Sequence, residues 1–218
     1  MRKAEVWHFF GVNNSLARLV RDKVSGHEVI NYAQKDFDFD DADNWLKDLV
    51  FQRDKKHFIF YTWGLLMPKR ISDQTQKEIN HSFSINASIP IKIIEKLNNS
   101  ECEFRMLYVS SESAKKGSYD GAYFLSKVSV EAYIRELRLK NNKSTLVALA
   151  PSIIADAGMT ERRDDQENIK KAIANHPKQR LLLSSEVADT CFWILRDASE
   201  YITNTVIEMN GGKFTRML

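Results

Sequence analysis

Short apolar runs that alternate with stretches of helical periodicity leave this chain few ways to fold. The runs are Glu5–Phe10, His27–Ala33, Lys56–Gly64, Phe104–Val109, Ser144–Pro151 and Thr205–Met209. Several are apolar at consecutive positions and end at glycine, serine or proline, as strands buried on both faces do. Between them, Ser15–Val20, Trp45–Phe51, Ser72–Leu97 and the stretch from Ala122 to about Lys140 carry apolar residues at helical spacing. A last helix is expected from Ser184 or Ser185, either of which is a suitable N-cap, with an acidic residue in its first turn. Strand and helix in alternation predict an α/β fold, a doubly wound parallel sheet flanked by helices. Too few residues follow the second strand for a full helix. The segment after Ala33 is therefore expected to be a shortened crossover leading to a brief strand around Asp36 to Phe39, and the acidic run Asp36 to Asp43 a solvated loop and cap.

Length and composition narrow the setting. A chain of 218 residues with 43% hydrophobic content suits one domain with a sizeable core. Its 32 basic and 29 acidic residues are scattered, giving +3 without a basic stripe, so a nucleic-acid partner is not expected. Cys102 and Cys191 lie far apart with no metal-ligand spacing, and no apolar run is long enough to cross a membrane. The expected compartment is a reducing cytoplasm.

Chemistry concentrates where Tyr108–Val109 stops at Ser110 and Ser111 and a helix resumes with Tyr123 and Lys127. Four residues apart on a helix, the phenol and the amine share one face. An ammonium beside a phenol favours the phenolate, so the pair can pass a proton to or from an alcohol or carbonyl oxygen. A serine hydroxyl arriving from the strand end would hold that oxygen. This segment resembles the active-site segment of the short-chain dehydrogenase/reductase family, with its Ser and Tyr-x-x-x-Lys.

The resemblance extends along most of the chain. The family's Gly-x-x-x-Gly-x-Gly turn appears as Gly11-Val-Asn-Asn-Ser15-Leu-Ala17, and Asn-Asn-Ala-Gly after the third run as Tyr61-Thr-Trp-Gly64. Such a turn sets backbone N–H groups against a pyrophosphate. The resemblance implies NAD or NADP as cofactor, held by Gly11, Asn13, Asn14, Ser15, Leu16, Gly64, Tyr123, Lys127, Pro151 and Ile154. Trp63 is expected either to stack on the cofactor or to obstruct it. Gln34, Lys35 and Asp36 compete for the position that faces the adenosine ribose. Asp156 falls near the residue that holds the nicotinamide carboxamide.

The implied catalytic set is Asn86, Ser111, Tyr123 and Lys127. Pair position favours Ser111, while a count of thirteen residues back from Tyr123 favours Ser110, which remains the alternate. Asn86 would relay protons toward Lys127, which would lower the Tyr123 pKa and bind the nicotinamide ribose. Residues 155 to 180, with Arg162, Arg163, Asp164 and Asp165, correspond to the variable substrate lid. The closing Ile202-Thr-Asn and Asn210-Gly-Gly212 resemble the family's Ile-Thr-Gly turn and Asp-Gly-Gly.

Two functions follow from the resemblance. The first is an NAD(P)-dependent oxidoreductase interconverting hydroxyl and carbonyl on a small molecule. The second is a catalytically impaired relative acting as a binding or assembly module, which the missing glycines favour. In the family, the two helices flanking the active-site strand pair across a two-fold axis. Ile79, Phe83, Ile94, Val130, Tyr133, Ile134 and Leu137 are the apolar residues expected to form a homodimer or homotetramer there.

Overall fold

The computed structural model describes residues 3–158 and 166–215. Its frame is a six-stranded, all-parallel sheet: β1 (Glu5–Phe10), β2 (Glu28–Tyr32), β3 (Lys56–Tyr61), β4 (Glu103–Val109), β5 (Thr145–Pro151) and β6 (Thr205–Met209). The strands lie in the order β2-β1-β3-β4-β5-β6. The helices are α1 (Ser15–Arg21), α2 (Ala42–Leu46), α3 (Gln76–Phe83), α4 (Ile89–Ser100), α5 (Ser113–Lys116), α6 (Gly121–Glu136), α7 (Gln166–Ala174) and α8 (Ser184–Arg196).

Successive side chains of a strand point to opposite faces, and that period divides the core in two. Trp7, Phe9, Phe58, Phe60, Leu107, Val147 and Leu149 pack with α1 and α8 on one face. Phe10, Ile59, Tyr61, Met106, Tyr108, Leu146 and Ala148 pack with residues of α2, α4 and α6 on the other. Trp7 stacks on Phe58 with ring centroids 4.3 Å apart. Each such buried aromatic contributes about 1.5 to 3 kcal/mol of transfer free energy.

The sheet brings the strand ends to one rim. Register pairs Phe10 with Tyr61, Tyr61 with Tyr108, Val109 with Leu149 and Pro151 with Met209. Gly11, Thr62, Ser110, Ser152 and Asn210 therefore emerge side by side. The chain runs outward in opposite directions from β1 and β3, so the crevice between Gly11 and Thr62 is the switch point where open α/β sheets bind ligands.

Several boundaries differ from expectation for identifiable reasons. The brief strand at Asp36 to Phe39 does not form: Gln34–Asp36 is a single 3-10 turn, and Phe37 and Phe39 then turn inward onto the sheet. Trp63 is 2% exposed within this aromatic group, edge-on to Phe10 and Phe39 at 5.2 and 5.0 Å, so it is core and neither stacks on nor obstructs a cofactor. The helix expected over Trp45–Phe51 is α2, because Trp45 and Leu46 close its last turn and Phe51 packs as loop. The long helix Ser72–Leu97 is instead α3 and α4 joined by one π-helical segment, Ser84–Ser88. The α6 helix ends at Glu136, where Leu137 turns extended. Neither Ser184 nor Ser185 caps α8, whose N-cap is Leu183.

Candidate active site

The π segment sets the floor of the site. Lengthening the hydrogen-bond ladder to i→i+5 leaves carbonyls of that turn in need of donors. Two register-paired tyrosines supply them: Tyr61 donates to the Ile85 carbonyl and Tyr108 to the Asn86 carbonyl, each at 2.6 Å. Both phenols are fully buried, and burial holds both well above the ordinary tyrosine pKa. Asn86 is itself fully buried. Its amide accepts from the Leu65 N–H at 2.9 Å and donates to the Leu65 carbonyl at 2.8 Å and the Ser82 hydroxyl at 3.1 Å. Asn86 thus pins the loop after β3, and its own carbonyl is already taken by Tyr108.

The active helix is set by Asp120, a residue that sequence reasoning missed. It is the N-cap of α6 and accepts from the Tyr123 N–H at 3.0 Å. It also accepts from Gln74 at 2.8 Å and from the Met67 N–H at 2.6 Å, so one carboxylate joins the start of α6 to the loop after β3. A carboxylate three residues before Tyr123 at a helix start is the signal that would have found it.

Tyr123 is 7% exposed and lies beside Ser111. Burial pushes its hydroxyl up to about 12, the Ser111 hydrogen bond opposes that, and the Asp120 charge adds to it. Lys127 is 2% exposed and donates to the Val109 carbonyl at 2.8 Å. Its ammonium sits 4.5 Å from the Tyr108 ring and 5.6 Å from the Tyr123 ring. Burial brings the amine down to about 7, against the pull of Glu131. Desolvation dominates both groups, so Tyr123 stands above its ordinary value with Lys127 close by, and it is a protonated donor at neutral pH. The two serines diverge: Ser111 turns to Tyr123 and accepts from the Ser113 N–H at 3.1 Å, whereas Ser110 donates to Glu131 at 2.5 Å. Glu131 also escaped the sequence reading, although it stands one turn beyond Lys127.

At the switch point, Gly11 has φ +103°, and a Cβ there would meet the Thr62 hydroxyl at 2.4 Å. Thr62 donates to the Phe10 carbonyl at 2.8 Å and accepts from Asn14 at 2.7 Å. The Asn14 carbonyl oxygen accepts from the Ala17 N–H at 2.7 Å, so this side chain caps α1 itself. Asn13 is exposed on the rim, Ser15 opens the helix and Leu16 is buried in the core. Gly64 is half-buried in the loop that Asn86 pins. Gln34, Lys35 and Asp36 are all exposed after β2. Pro151 closes β5 and accepts from the Glu112 N–H at 2.9 Å, while Ile154 bridges to Leu182. Asp156 does not stand free as a nicotinamide contact: it accepts from the Ser184 N–H at 2.8 Å and hydroxyl at 2.6 Å, serving α8 as a cap from a distant segment. Arg162, Arg163, Asp164 and Asp165 lie outside the described residues.

A family model described as enoyl-(acyl carrier protein) reductase matches residues 20–213 of this chain. The chain belongs to the short-chain dehydrogenase/reductase family. This is a family of NAD(P)-dependent oxidoreductases, and the tyrosine and lysine of α6 stand in its active-site order. An acetoacetyl-CoA reductase of an Acinetobacter species is 27% identical over 113 residues, taking in 50% of this chain and 45% of that protein, so the match spans about half the relative's length. A short-chain dehydrogenase family protein from Francisella tularensis superposes with a TM-score of 0.78 at 18% identity, covering 97% of this chain and 98% of the other. A Tyr-to-Phe variant of ElxO with NADPH bound gives 0.74 at 14% identity, over 97% and 98%. No helix among the described residues is long and apolar enough to cross a membrane.

The short-chain dehydrogenase rim fits a dinucleotide at one place in particular. The Gly11 turn is a cradle that any Cβ would fill, with exposed Asn13 and the first N–H groups of α1 beside it.

Proposed function

We propose that the chain is an NAD(P)-dependent oxidoreductase that interconverts a carbonyl and a hydroxyl on a small molecule. The observation that supports this most is the meeting of Ser111, just past the end of β4, with Tyr123 from α6, and Lys127 one turn behind. The nicotinamide, when bound, supplies or accepts the hydride. The chain's own residues handle the oxygen. Ser111 holds it, and Tyr123 gives it a proton in reduction or takes one in oxidation. A hydroxyl pushed up to about 12 is in the donor form at neutral pH, ready to protonate the oxygen in reduction. Lys127, close behind, stabilises the phenolate left after transfer. Gly11, Asn13, Ser15, Leu16, Gly64, Pro151 and Ile154 are assigned to the dinucleotide, Asn14 acting through the shape it gives the turn, and Asn86 to the loop above the reacting centre.

We read residues 155–180 as a substrate lid within a single domain. Its base is the Ile154–Leu182 bridge, with Ala155 N–H donating to the Leu182 carbonyl at 2.8 Å. The proposed assembly is a dimer or tetramer through the α3–α4 stretch and α6. Ile94, Val130 and Ile134 are fully buried in the chain's own core and do not contribute to it. Ile79, Phe83, Tyr133 and Leu137 stay partly exposed, and Leu125 is 44% exposed. Light scattering tests this: a mass of one chain at micromolar concentration excludes the interface. A reducing, cytoplasmic setting is proposed with it, resting on two thiols buried separately.

One observation favours a binding module instead. Asn14 uses the Ala17 N–H, and Tyr108 uses the Asn86 carbonyl, so two groups a working relative would offer to ligand or water are already paired. Titration with NADH and NADPH, read by nicotinamide fluorescence, separates the readings. NADPH oxidation with acetoacetyl-CoA as the first carbonyl probe then tests turnover. Absence of dinucleotide binding would overturn the oxidoreductase reading.

A further inference from the structure

Two consecutive turns of α6 grip two consecutive residues at the end of β4. Lys127 donates to the Val109 carbonyl at 2.8 Å, and Glu131, four residues later, accepts from the Ser110 hydroxyl at 2.5 Å. Neither grip is a surface contact: Lys127 is 2% exposed, Ser110 3% and Glu131 8%. Ser111 follows immediately, and its hydroxyl must reach Tyr123 on the same helix. The Ser110 N–H donates to the Leu149 carbonyl at 2.7 Å, so the gripped dipeptide is also fixed to β5. A cavity of about 10 Å³ lies between Ser111, Glu131 and Glu208, close to the least space that holds one water.

A buried carboxyl costs free energy unless it is hydrogen-bonded and near opposite charge. Placing Glu131 here is explained if it serves the site. We propose that Glu131, acting through Ser110, is a positioning residue that holds the end of β4 so that Ser111 and Lys127 both meet Tyr123. This rests on the oxidoreductase reading given above. Groups facing Glu131 are Lys127 and Arg135 on α6, Tyr108 on β4 and Glu208 on β6, with Glu112 and Lys115 across the cavity. Arg135 approaches only to 3.5 Å from an exposed position and Glu208 opposes it in sign, while Glu131 is the charge that raises the buried Lys127 against desolvation. Lys127 is in turn faced by the Tyr108 and Tyr123 rings.

The test follows Lys127 by NMR in protein carrying lysine labelled at the carbon next to the amine, its signal assigned by loss in Lys127→Met. Glu131→Gln keeps size and hydrogen bonding but removes the charge. The titration midpoint of Lys127 is expected to fall by about half a pH unit or more in Glu131→Gln and in Ser110→Ala. Ser110→Thr, which keeps the hydroxyl, should retain the wild-type midpoint. An unchanged midpoint in Glu131→Gln and Ser110→Ala overturns the proposal. Turnover of NADPH with acetoacetyl-CoA supplies the second arm: kcat is expected to fall about tenfold in Glu131→Gln with KM little changed, and the pH profile to move with Lys127. A fall in KM alone, or a profile that stays in place, also counts against it. Wild-type protein that binds no dinucleotide would refute the oxidoreductase reading, while the Lys127 titration would still judge the grip.

Discussion

Acid should unfold this protein through a pair of buried histidines far from the active site. His8 on β1 and His57 on β3 are each 2% exposed, and their rings meet at 3.0 Å. The partners fix the tautomers. His57 Nε2 donates to the Gln52 carbonyl at 3.0 Å, His8 Nε2 donates to His57 Nδ1, and Tyr32 donates to His8 Nδ1 at 3.1 Å. Every nitrogen is used by neutral rings: a proton added at His57 Nδ1 sets two donors against each other, and one added at His8 Nδ1 makes the Tyr32 hydroxyl turn to accept and leaves a charge buried. Burial first, then His57 and Lys55, lower His8 from 6.5 to about 3, and burial lowers His57 as well. The sign follows: between about pH 6.5 and 3 the unfolded chain binds a proton that the folded chain refuses, so stability falls as pH falls. For His8 alone, the loss from pH 7 to pH 5 is about 2 kcal/mol, and His57 adds in the same direction. Against a total of about 5 to 15 kcal/mol that is a large share. Urea unfolding at fixed protein concentration, read by the buried Trp7 and Trp63, measures it. His8→Phe should be less stable at pH 7 because it strands the Tyr32 hydroxyl and His57 Nδ1, yet lose about 2 kcal/mol less than wild type on going to pH 5. Equal slopes in the two proteins would refute the account.

Other outcomes follow from the site. Tyr123→Phe should cut turnover on the order of a hundredfold or more while leaving fold and most NADPH affinity intact, and substantial residual activity at saturating substrate would count against it. Ser111→Ala should lower the rate far more than Ser110→Ala, with kcat as the readout, since Ser110 acts only through Glu131. Lys127 is held down to about 7, below its ordinary 10.5, so between those values the unfolded chain carries more protons and stability rises with pH. Lys127→Met should therefore be more stable than wild type at pH 7 and lack that rise, seen in the same urea assay. Gly11→Ala should cost about 1 to 3 kcal/mol and weaken NADPH binding, because φ +103° and the 2.4 Å contact with Thr62 forbid its methyl.

What the sequence revealed tracks how local each signal was. Strand runs such as Glu5–Phe10 matched the structure to the residue, because a buried parallel strand is apolar wherever it is placed. Tyr123 and Lys127 were visible because i and i+4 is a spacing one helix enforces by itself. The contact of Asp156 with α8 was invisible, since its partner, Ser184, lies 28 residues away and only folding brings them together. Phe37 and Phe39 have strand-like alternation, yet tertiary packing around Trp63 claimed them. Ser110 and Ser111 could not be separated by counting, because their hydroxyls part only in the fold, Ser110 toward Glu131 and Ser111 toward Tyr123. The histidine pair left no trace at all, as His8 and His57 meet only diagonally across adjacent strands, His57 pairing in register with Val6 and His8 with Ile59.

The π segment Ser84–Ser88 makes this part of the chain intolerant of length rather than of composition. Shortening it by one residue would close the ladder into ordinary α-helix and rotate everything after it by about 100° around the axis. Ile89, Ile93, Ile94 and Leu97, all fully buried, would swing away from the sheet, and the Tyr61 and Tyr108 hydroxyls would lose their acceptors together. Substitutions at exposed Ser88 should be nearly silent, whereas deletion of that same residue should unfold the protein. The extra residue works as a phase shift between two halves of one helix, so the chain here is read by its count.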